Sequence, residues 1–177
     1  TAGATIAVFG CGGVGLSAIQ GARLMNASRI IAVDIYNSKL EFTYRFGATD
    51  VVNATEVDPV EAIKEMTNGG VDIALDTFGS ATTSANMVNS LRQGGTAIQV
   101  GLGTVGEEAR IDMVDMVRNQ KTLVGSYYGS RSPHETFDKL INFYLKENLD
   151  IEGLITRTYT LNQINEGFDA LDRGEDG

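Results

Sequence analysis

Residues 5–15 read Thr5-Ile6-Ala7-Val8-Phe9-Gly10-Cys11-Gly12-Gly13-Val14-Gly15. A β-branched, apolar run passes directly into G-x-G-x-x-G, with Gly10, Gly12 and Gly15 in the three glycine places, and Leu16-Ser17-Ala18-Ile19 then continues as a helix would. In that setting each glycine has a task. Gly10 permits a tight turn out of the strand, Gly12 lets a pyrophosphate approach the backbone, and Gly15 lets the helix lie close to the sheet. Unpaired N–H groups at the helix start, with about half a positive charge of dipole, attract an anion without a Lys or Arg in the loop. Cys11 reads as a small loop residue, because no neighbouring sequence feature lowers a thiol pKa.

The next run, Arg29 to Asp34 (RIIAVD), ends in a carboxylate nineteen residues past Gly15. An acid about 20 residues beyond the last glycine is placed to accept hydrogen bonds from adenine ribose hydroxyls, and it repels a 2′-phosphate. Ile35, Tyr36 and Asn37 supply no guanidinium to compensate, so NAD is favoured over NADP. Asp34 taken alone also suits a solvated strand-end carboxylate or a cap. Lys39 either reaches a ribose hydroxyl or begins a helix in solvent.

Further β-branched runs follow at Thr49 to Asn53, Val71 to Phe78, Thr96 to Gly101 and Thr122 to Tyr127. They are continuous rather than alternating, as strands covered on both faces require. Between them lie segments of helical spacing. Val14, Ala18, Ala22 and Met25 mark one face, and Phe137, Leu140, Ile141, Tyr144 and Leu145 another. Asp58-Pro59-Val60-Glu61, Ser132-Pro133-His134-Glu135 and Thr160-Leu161-Asn162-Gln163 read as helix starts, the last opening a helix with Leu161, Ile164, Phe168 and Leu171 inward. Strands alternating with helices give right-handed βαβ units. The expectation is an α/β fold: a doubly wound six-stranded parallel sheet, order 3-2-1-4-5-6, with helices on both faces (a Rossmann fold). No fixed repeat and no linker interrupts it, so one dinucleotide-binding domain is expected over 1–177.

Composition narrows the function. The 177 residues carry 14 Lys and Arg against 23 Asp and Glu, a net charge of −9 that repels nucleic-acid backbones and anionic lipid, so neither nucleic acid nor membrane is expected as a partner. No apolar run approaches the roughly 18 residues of a membrane span. With 21 glycines but two prolines, the glycine excess reflects tight turns and not low complexity. One Cys cannot form a disulfide framework, which places the expectation in the cytoplasm. One His and one Cys cannot close a zinc site of four protein ligands, and no metal residue is assigned. None of the six tyrosines has Lys four residues on, and G-x-S-x-G, P-loop and H-E-x-x-H motifs are absent. No catalytic residue is assigned either.

The strings TIAVFGCGGVGLSAIQGARLMNASRIIAVDIYNSKLEFTYRFGATDVVN, GGVDIALDTFG, LRQGGTAIQVG, TLVGSYYGSRSP and LNQINEGFDALDRGE resemble the coenzyme-binding domain of zinc-type medium-chain alcohol dehydrogenases over essentially the whole chain. In that family a separate GroES-like domain, mostly N-terminal to this one, carries the catalytic zinc and the proton relay. The resemblance therefore implies a piece of a longer enzyme, unable to turn over alone, with zinc only in the catalytic domain and the abrupt start at Thr1 in agreement. It further implies that Gly13 and Val14 give N–H groups to the pyrophosphate and that Asp34, Ile35 and Lys39 surround the adenosine ribose. Thr77 and Phe78 would flank the riboses, while Val100, Leu102, Ser126 and Tyr128 would offer backbone groups and walls to the nicotinamide carboxamide. At Ser80 some members place a cofactor-contacting Arg, and a phosphate-contacting Arg falls just beyond Gly177. The family's dimers pair the strand matching Leu123 to Tyr127 across a two-fold axis, so a homodimer through that edge is implied, a covering loop being the alternative.

Other readings remain open on the residues alone. A zinc-free quinone or enone reductase shares this cofactor fold but usually takes NADPH, against Asp34. A non-catalytic nucleotide-sensing module would keep the loop without chemistry. An S-adenosylmethionine methyltransferase also sets a glycine loop and an acid around adenosine, although Gly13-Val14-Gly15 leading into small residues suits pyrophosphate better.

Overall fold

The computed structural model describes residues 2–146 and 148–174, in two compact units that divide between Ser132 and Pro133. In the first unit β1 (Thr5–Phe9), β2 (Arg29–Asp34), β3 (Asp50–Asn53), β4 (Val71–Asp76), β5 (Leu91–Gln99) and β6 (Thr122–Gly125) form one sheet. Its order is β3-β2-β1-β4-β5-β6 and every neighbouring pair is parallel, the doubly wound arrangement expected. The crossovers are α1 (Gly13–Leu24), α2 (Asn37–Thr43), α3 (Pro59–Thr67), α4 (Ala81–Asn89) and α5 (Met113–Arg118). Right-handed crossovers place α1 and α2 on one face as the chain moves from β1 to β3, and α4 and α5 on the other as it moves from β4 to β6.

Burial explains why the strands read as unbroken apolar runs. Ala7, Val8 and Phe9 of β1 and Ile31 and Ala32 of β2 are buried on both faces of the sheet. Ala7, Phe9, Ile31, Val33, Ala74 and Ala97 meet Ile63 of α3 and Met87 of α4 in one continuous cluster. At the amino edge of the sheet the Arg29 guanidinium bonds both oxygens of Asp50, at 2.6 and 2.8 Å. There too Asp72 accepts from the Thr5 N–H (2.7 Å) and from Arg92 Nε (2.7 Å).

Two local expectations are corrected. The inward face of α1 is Gly15, Leu16, Ile19, Gln20 and Ala22, whereas Val14 and Met25 are exposed. Gly15 sets this rotation, because it must face the sheet at the point of closest approach. β5 also begins at Leu91 rather than Thr96: Leu91 pairs with Val71, and a bulge between Val71 and Ile73 absorbs the polar, glycine-bearing Arg92–Gly95 stretch. Asp58 caps α3 as read, its Oδ1 accepting from the Val60 (2.8 Å) and Glu61 (3.2 Å) N–H groups.

The second unit contains α6 (Pro133–Leu145), a 3-10 turn at Glu152–Leu154, and a further 3-10 turn at Leu161–Gln163 leading into α7 (Ile164–Asp172). The Gln163 amide oxygen accepts from the Thr160 N–H at 3.2 Å, so the start read at Thr160 is a 3-10 turn one step before the helix. Leu161, Ile164, Phe168 and Leu171, expected to face inward, are instead exposed and line an open cleft of about 550 Å³ within this unit, together with Tyr159 and Gly167, while Ala170 is the buried residue of α7. Among the described residues no helix is long and apolar enough to cross a membrane.

Candidate functional site

β1 and β4 are neighbours whose following helices leave to opposite faces, so a crevice opens beyond their carboxyl ends. A cleft of about 500 Å³ lies there, lined by Gly10, Gly12, Gly13, Val14, Gly15, Asp34, Ile35, Lys39, Thr77 and Phe78, with Cys11 and Tyr36 among them. Residues chosen from three separated stretches of sequence thus share one wall. The rest do not join it. Leu102 borders a neighbouring cleft of about 380 Å³ with Gly79, Ser84 and Glu107, and Val100, Ser126 and Tyr128 line neither. The Val100 N–H donates to the Asp76 carbonyl (2.9 Å) and the Ser126 N–H to the Gln99 carbonyl (2.8 Å), so both N–H groups are spent inside the fold. The exposed Tyr128 ring stands edge-on to Tyr127, centroids 4.6 Å apart.

The glycine loop is held by backbone proximity. A Cβ on Gly15 would sit 1.9 Å from the Gly10 carbonyl oxygen, closer than any side chain permits. The Thr77 hydroxyl, shared between the carbonyls of Phe9 (3.0 Å) and Gly10 (2.9 Å), fastens the loop to the end of β4. Gly12 is the N-cap of α1 and has no side chain to offer, whereas α3, α4 and α5 are capped by Asp58, Ser80 and Asp112. The first N–H groups of α1 therefore have neither an intrahelical carbonyl nor a side-chain cap, which is the condition for anion binding.

Asp34 does more than its position in sequence indicates. Its Oδ2 accepts from the Cys11 N–H at 2.8 Å, while Oδ1 accepts from the N–H groups of Ile35 (2.7 Å) and Tyr36 (3.1 Å). The carboxylate that ends β2 is thus aimed by the glycine loop itself. A carboxylate offers about four acceptor positions, so capacity for another donor remains. The Lys39 ammonium lies 5.6 Å from the Tyr36 ring centroid, within reach of its π face. Cys11 is buried and its thiol donates to the Val33 carbonyl at 3.6 Å. Burial, and then the nearby Asp34 charge, push the thiol far above its ordinary pKa against a smaller opposing effect of Lys39. It is a neutral loop residue.

Asp76, at the end of β4, escaped the sequence reading. It is fully buried, and its Oδ1 accepts from the N–H groups of Phe78 (3.0 Å) and Gly79 (2.9 Å). Its Oδ2 accepts from the hydroxyls of Thr83 (3.0 Å) and Ser84 (2.8 Å) and from Gln99 Nε2 (3.1 Å). The available signal was its likeness to Asp34, as an acid closing an apolar strand. Among the described residues no three His, Cys, Asp or Glu side chains come together as a metal centre requires.

Residues 13–146 match the family described as zinc-binding dehydrogenase. The chain belongs to that family. It is 38% identical over 176 residues to alcohol dehydrogenase 1 of Pisum sativum, a match covering 98% of this chain and 46% of that protein. Among solved structures, benzyl alcohol dehydrogenase from Acinetobacter calcoaceticus superposes with a TM-score of 0.94 at 36% identity, covering 98% of this chain and 48% of that one. A Sinorhizobium meliloti protein solved bound to NADP superposes with a TM-score of 0.80 at 27% identity, covering 86% of this chain and 44% of that one. This zinc-binding dehydrogenase chain thus spans about half the length of the relatives it matches. Its likeness to alcohol dehydrogenases does not favour the zinc-free reductase reading.

Proposed function

We propose that this chain is the NAD(H)-binding part of a zinc-dependent medium-chain alcohol dehydrogenase, in which a further catalytic domain supplies the zinc ligands and most of the alcohol pocket. The observation that carries the dinucleotide reading is the uncapped start of α1 at the β1–β4 crevice, with Asp34 bonded to the same loop. On this reading Gly12, Gly13 and Val14 hold the pyrophosphate through the backbone, and Gly10 and Gly15 shape the loop. Asp34, Ile35 and Lys39 surround the adenosine ribose, and Thr77 and Phe78 flank the riboses. Val100, Leu102, Ser126 and Tyr128 border the carboxamide. When bound, the nicotinamide supplies the ring that accepts hydride from the alcohol. The share of this chain is binding and orientation, and alone it does not turn over.

The residues present fit the cofactor in charge as well as in shape. Backbone N–H groups meet an anion without a fixed cation, which suits a chain of net charge −9. The Asp34 carboxylate repels a 2′-phosphate, which supports NAD over the NADP carried by the Sinorhizobium protein. Zinc does not fit the described residues, and no step through it is derived from them. β6 lies at the sheet edge with β5 as its strand neighbour, which supports pairing of Leu123–Tyr127 with a second copy. The single buried thiol agrees with a cytoplasmic setting.

Parallel titration of the chain with NADH and NADPH, followed by nicotinamide fluorescence, tests the reading. NADH is expected to bind the more tightly, and Asp34→Gly to weaken NADH about tenfold, about 1.4 kcal/mol, while weakening NADPH less. Equal weakening of both removes Asp34 from the selectivity argument, and binding of neither nucleotide overturns the assignment.

A further inference from the structure

Two loops follow β4 and β5 on the nicotinamide side of the crevice, one carrying Phe78 and the other Leu102. Their backbones touch. A Cβ on Gly79 would lie 2.5 Å from the Gly101 carbonyl carbon, and one on Gly101 would lie 2.5 Å from the Gly79 nitrogen, so neither position admits a side chain without moving the other loop. Asp76 sits beneath this contact and bonds to both sides of it. Its Oδ1 holds the Phe78 and Gly79 N–H groups of the first loop, and its carbonyl oxygen receives the Val100 and Gly101 N–H groups of the second, each at 2.9 Å.

Gln99 completes the link. Its Nε2 donates to Asp76 Oδ2 (3.1 Å) and to the Gly101 carbonyl (3.0 Å), so both amide hydrogens are committed. The same Oδ2 is shared with the hydroxyls of Thr83 and Ser84 in the first turns of α4. Five donors on one buried carboxylate leave it no capacity for a ligand. Asp76 borders neither cleft, whereas Gln99 stays out of the cleft that Phe78 lines but borders the neighbouring one beside Leu102.

We infer that Asp76 and Gln99 form a clamp that fixes the separation of the Phe78 and Leu102 loops, and thereby orients the nicotinamide end of the dinucleotide through those loops. Both are positioning residues, and the inference rests on the dinucleotide reading given above. It distinguishes the two ends of the ligand. The adenosine end is governed by the glycine loop and Asp34, whereas the nicotinamide end depends on the clamp. Loosening the clamp therefore costs more affinity for the whole dinucleotide than for ADP-ribose, which keeps the pyrophosphate and both riboses, including the one beside Phe78, and lacks only the nicotinamide ring.

The test compares NADH with ADP-ribose on the 177-residue chain, with unfolding temperature recorded for each variant. The unaltered chain is expected to bind NADH more tightly than ADP-ribose. Gln99→Leu, which keeps bulk and removes both donors, is expected to raise the Kd for NADH about tenfold and that for ADP-ribose by no more than about threefold. Gln99→Met, with a longer and more adaptable side chain, serves the same purpose if the leucine variant does not fold. A merely structural role would shift both ligands together, and an equal change, or none, overturns the clamp. If the unaltered chain binds ADP-ribose as tightly as NADH, the clamp falls while the dinucleotide reading stands. If it binds neither, the reading itself falls and takes the clamp with it.

Discussion

Asp34 and Asp76 are the same residue type, each closing a parallel strand at the same edge of the sheet, and the fold uses them in opposite ways. Asp34 is partly exposed, bonds three backbone N–H groups and lines the cleft. Asp76 is fully buried and receives five donors, two from backbone and three from side chains. β2 lies one place out from the switch point and ends beside a loop made mostly of glycine, so nothing covers its carboxylate. β4 lies inside the sheet between β1 and β5, and α4 lays Thr83 and Ser84 over its end. A buried carboxylate persists only when its acceptor positions are filled. One acid is thus available to a ligand, and the other is an internal strut.

Removing each acid sharpens that contrast. Asp76→Ala strands five donors and is expected to cost about 3 kcal/mol or more of unfolding free energy, read by chemical denaturation. Asp34→Ala releases three N–H groups at the rim, where water can replace the carboxylate, and is expected to cost no more than about 1 kcal/mol while impairing nucleotide binding. Similar losses for the two would contradict the division of roles.

Gly15→Ala tests the loop that aims Asp34. Overpacking commonly costs about 1–3 kcal/mol, and here the added carbon meets a backbone oxygen and not a flexible side chain. Reduced stability together with weaker nucleotide binding is expected. Unchanged melting and binding would show that α1 can withdraw from the loop without consequence.

The smallest effect concerns the acids at the opposite edge of the sheet, which are paired with cations. Hydrogen bonding from Arg29 holds Asp50 below its ordinary value of 3.8, against the upward pull of burial. For Asp72 burial acts upward, and the Thr5 donors and Arg92 together outweigh it. Depressed carboxyl pKa values mean that the stabilisation is present in full above 3.8 and is lost as pH falls through the lower folded values. Solvent screening limits each pair to about 1 kcal/mol. Denaturation midpoints followed across that acid range should fall less steeply in Arg29→Met than in the unaltered chain, and identical slopes would remove the Arg29 pair from the acid response.

Much of the fold was legible because its signals are local. Continuous β-branched runs, the glycine turn at Gly10–Gly15 and the Asp58-Pro59 start each depend on residues a few places apart, and the strand order follows from right-handed crossovers. The rotation of α1 was not legible from hydrophobic spacing, since Val14 and Leu16 are equally apolar and only the 1.9 Å approach at Gly15 chooses between them. Nor was the start of β5, because Arg92-Gln93-Gly94-Gly95 looks like a turn, and only the pairing of Leu91 with Val71 on its far side carries the strand across it.

By itself, then, the sequence determined a parallel α/β sheet, a glycine loop at a helix start and an acid nineteen residues on, all of them features of chain order and short-range chemistry. Tertiary structure alone decided that Asp34 faces a cleft and Asp76 does not. It also decided that Gln99 reaches back to Asp76, and that Leu102 borders a different cavity from Phe78. The physical reason is that burial and hydrogen-bond saturation belong to neighbours brought from elsewhere in the chain. Two aspartates that each close an apolar strand acquire different chemistry only when those neighbours arrive.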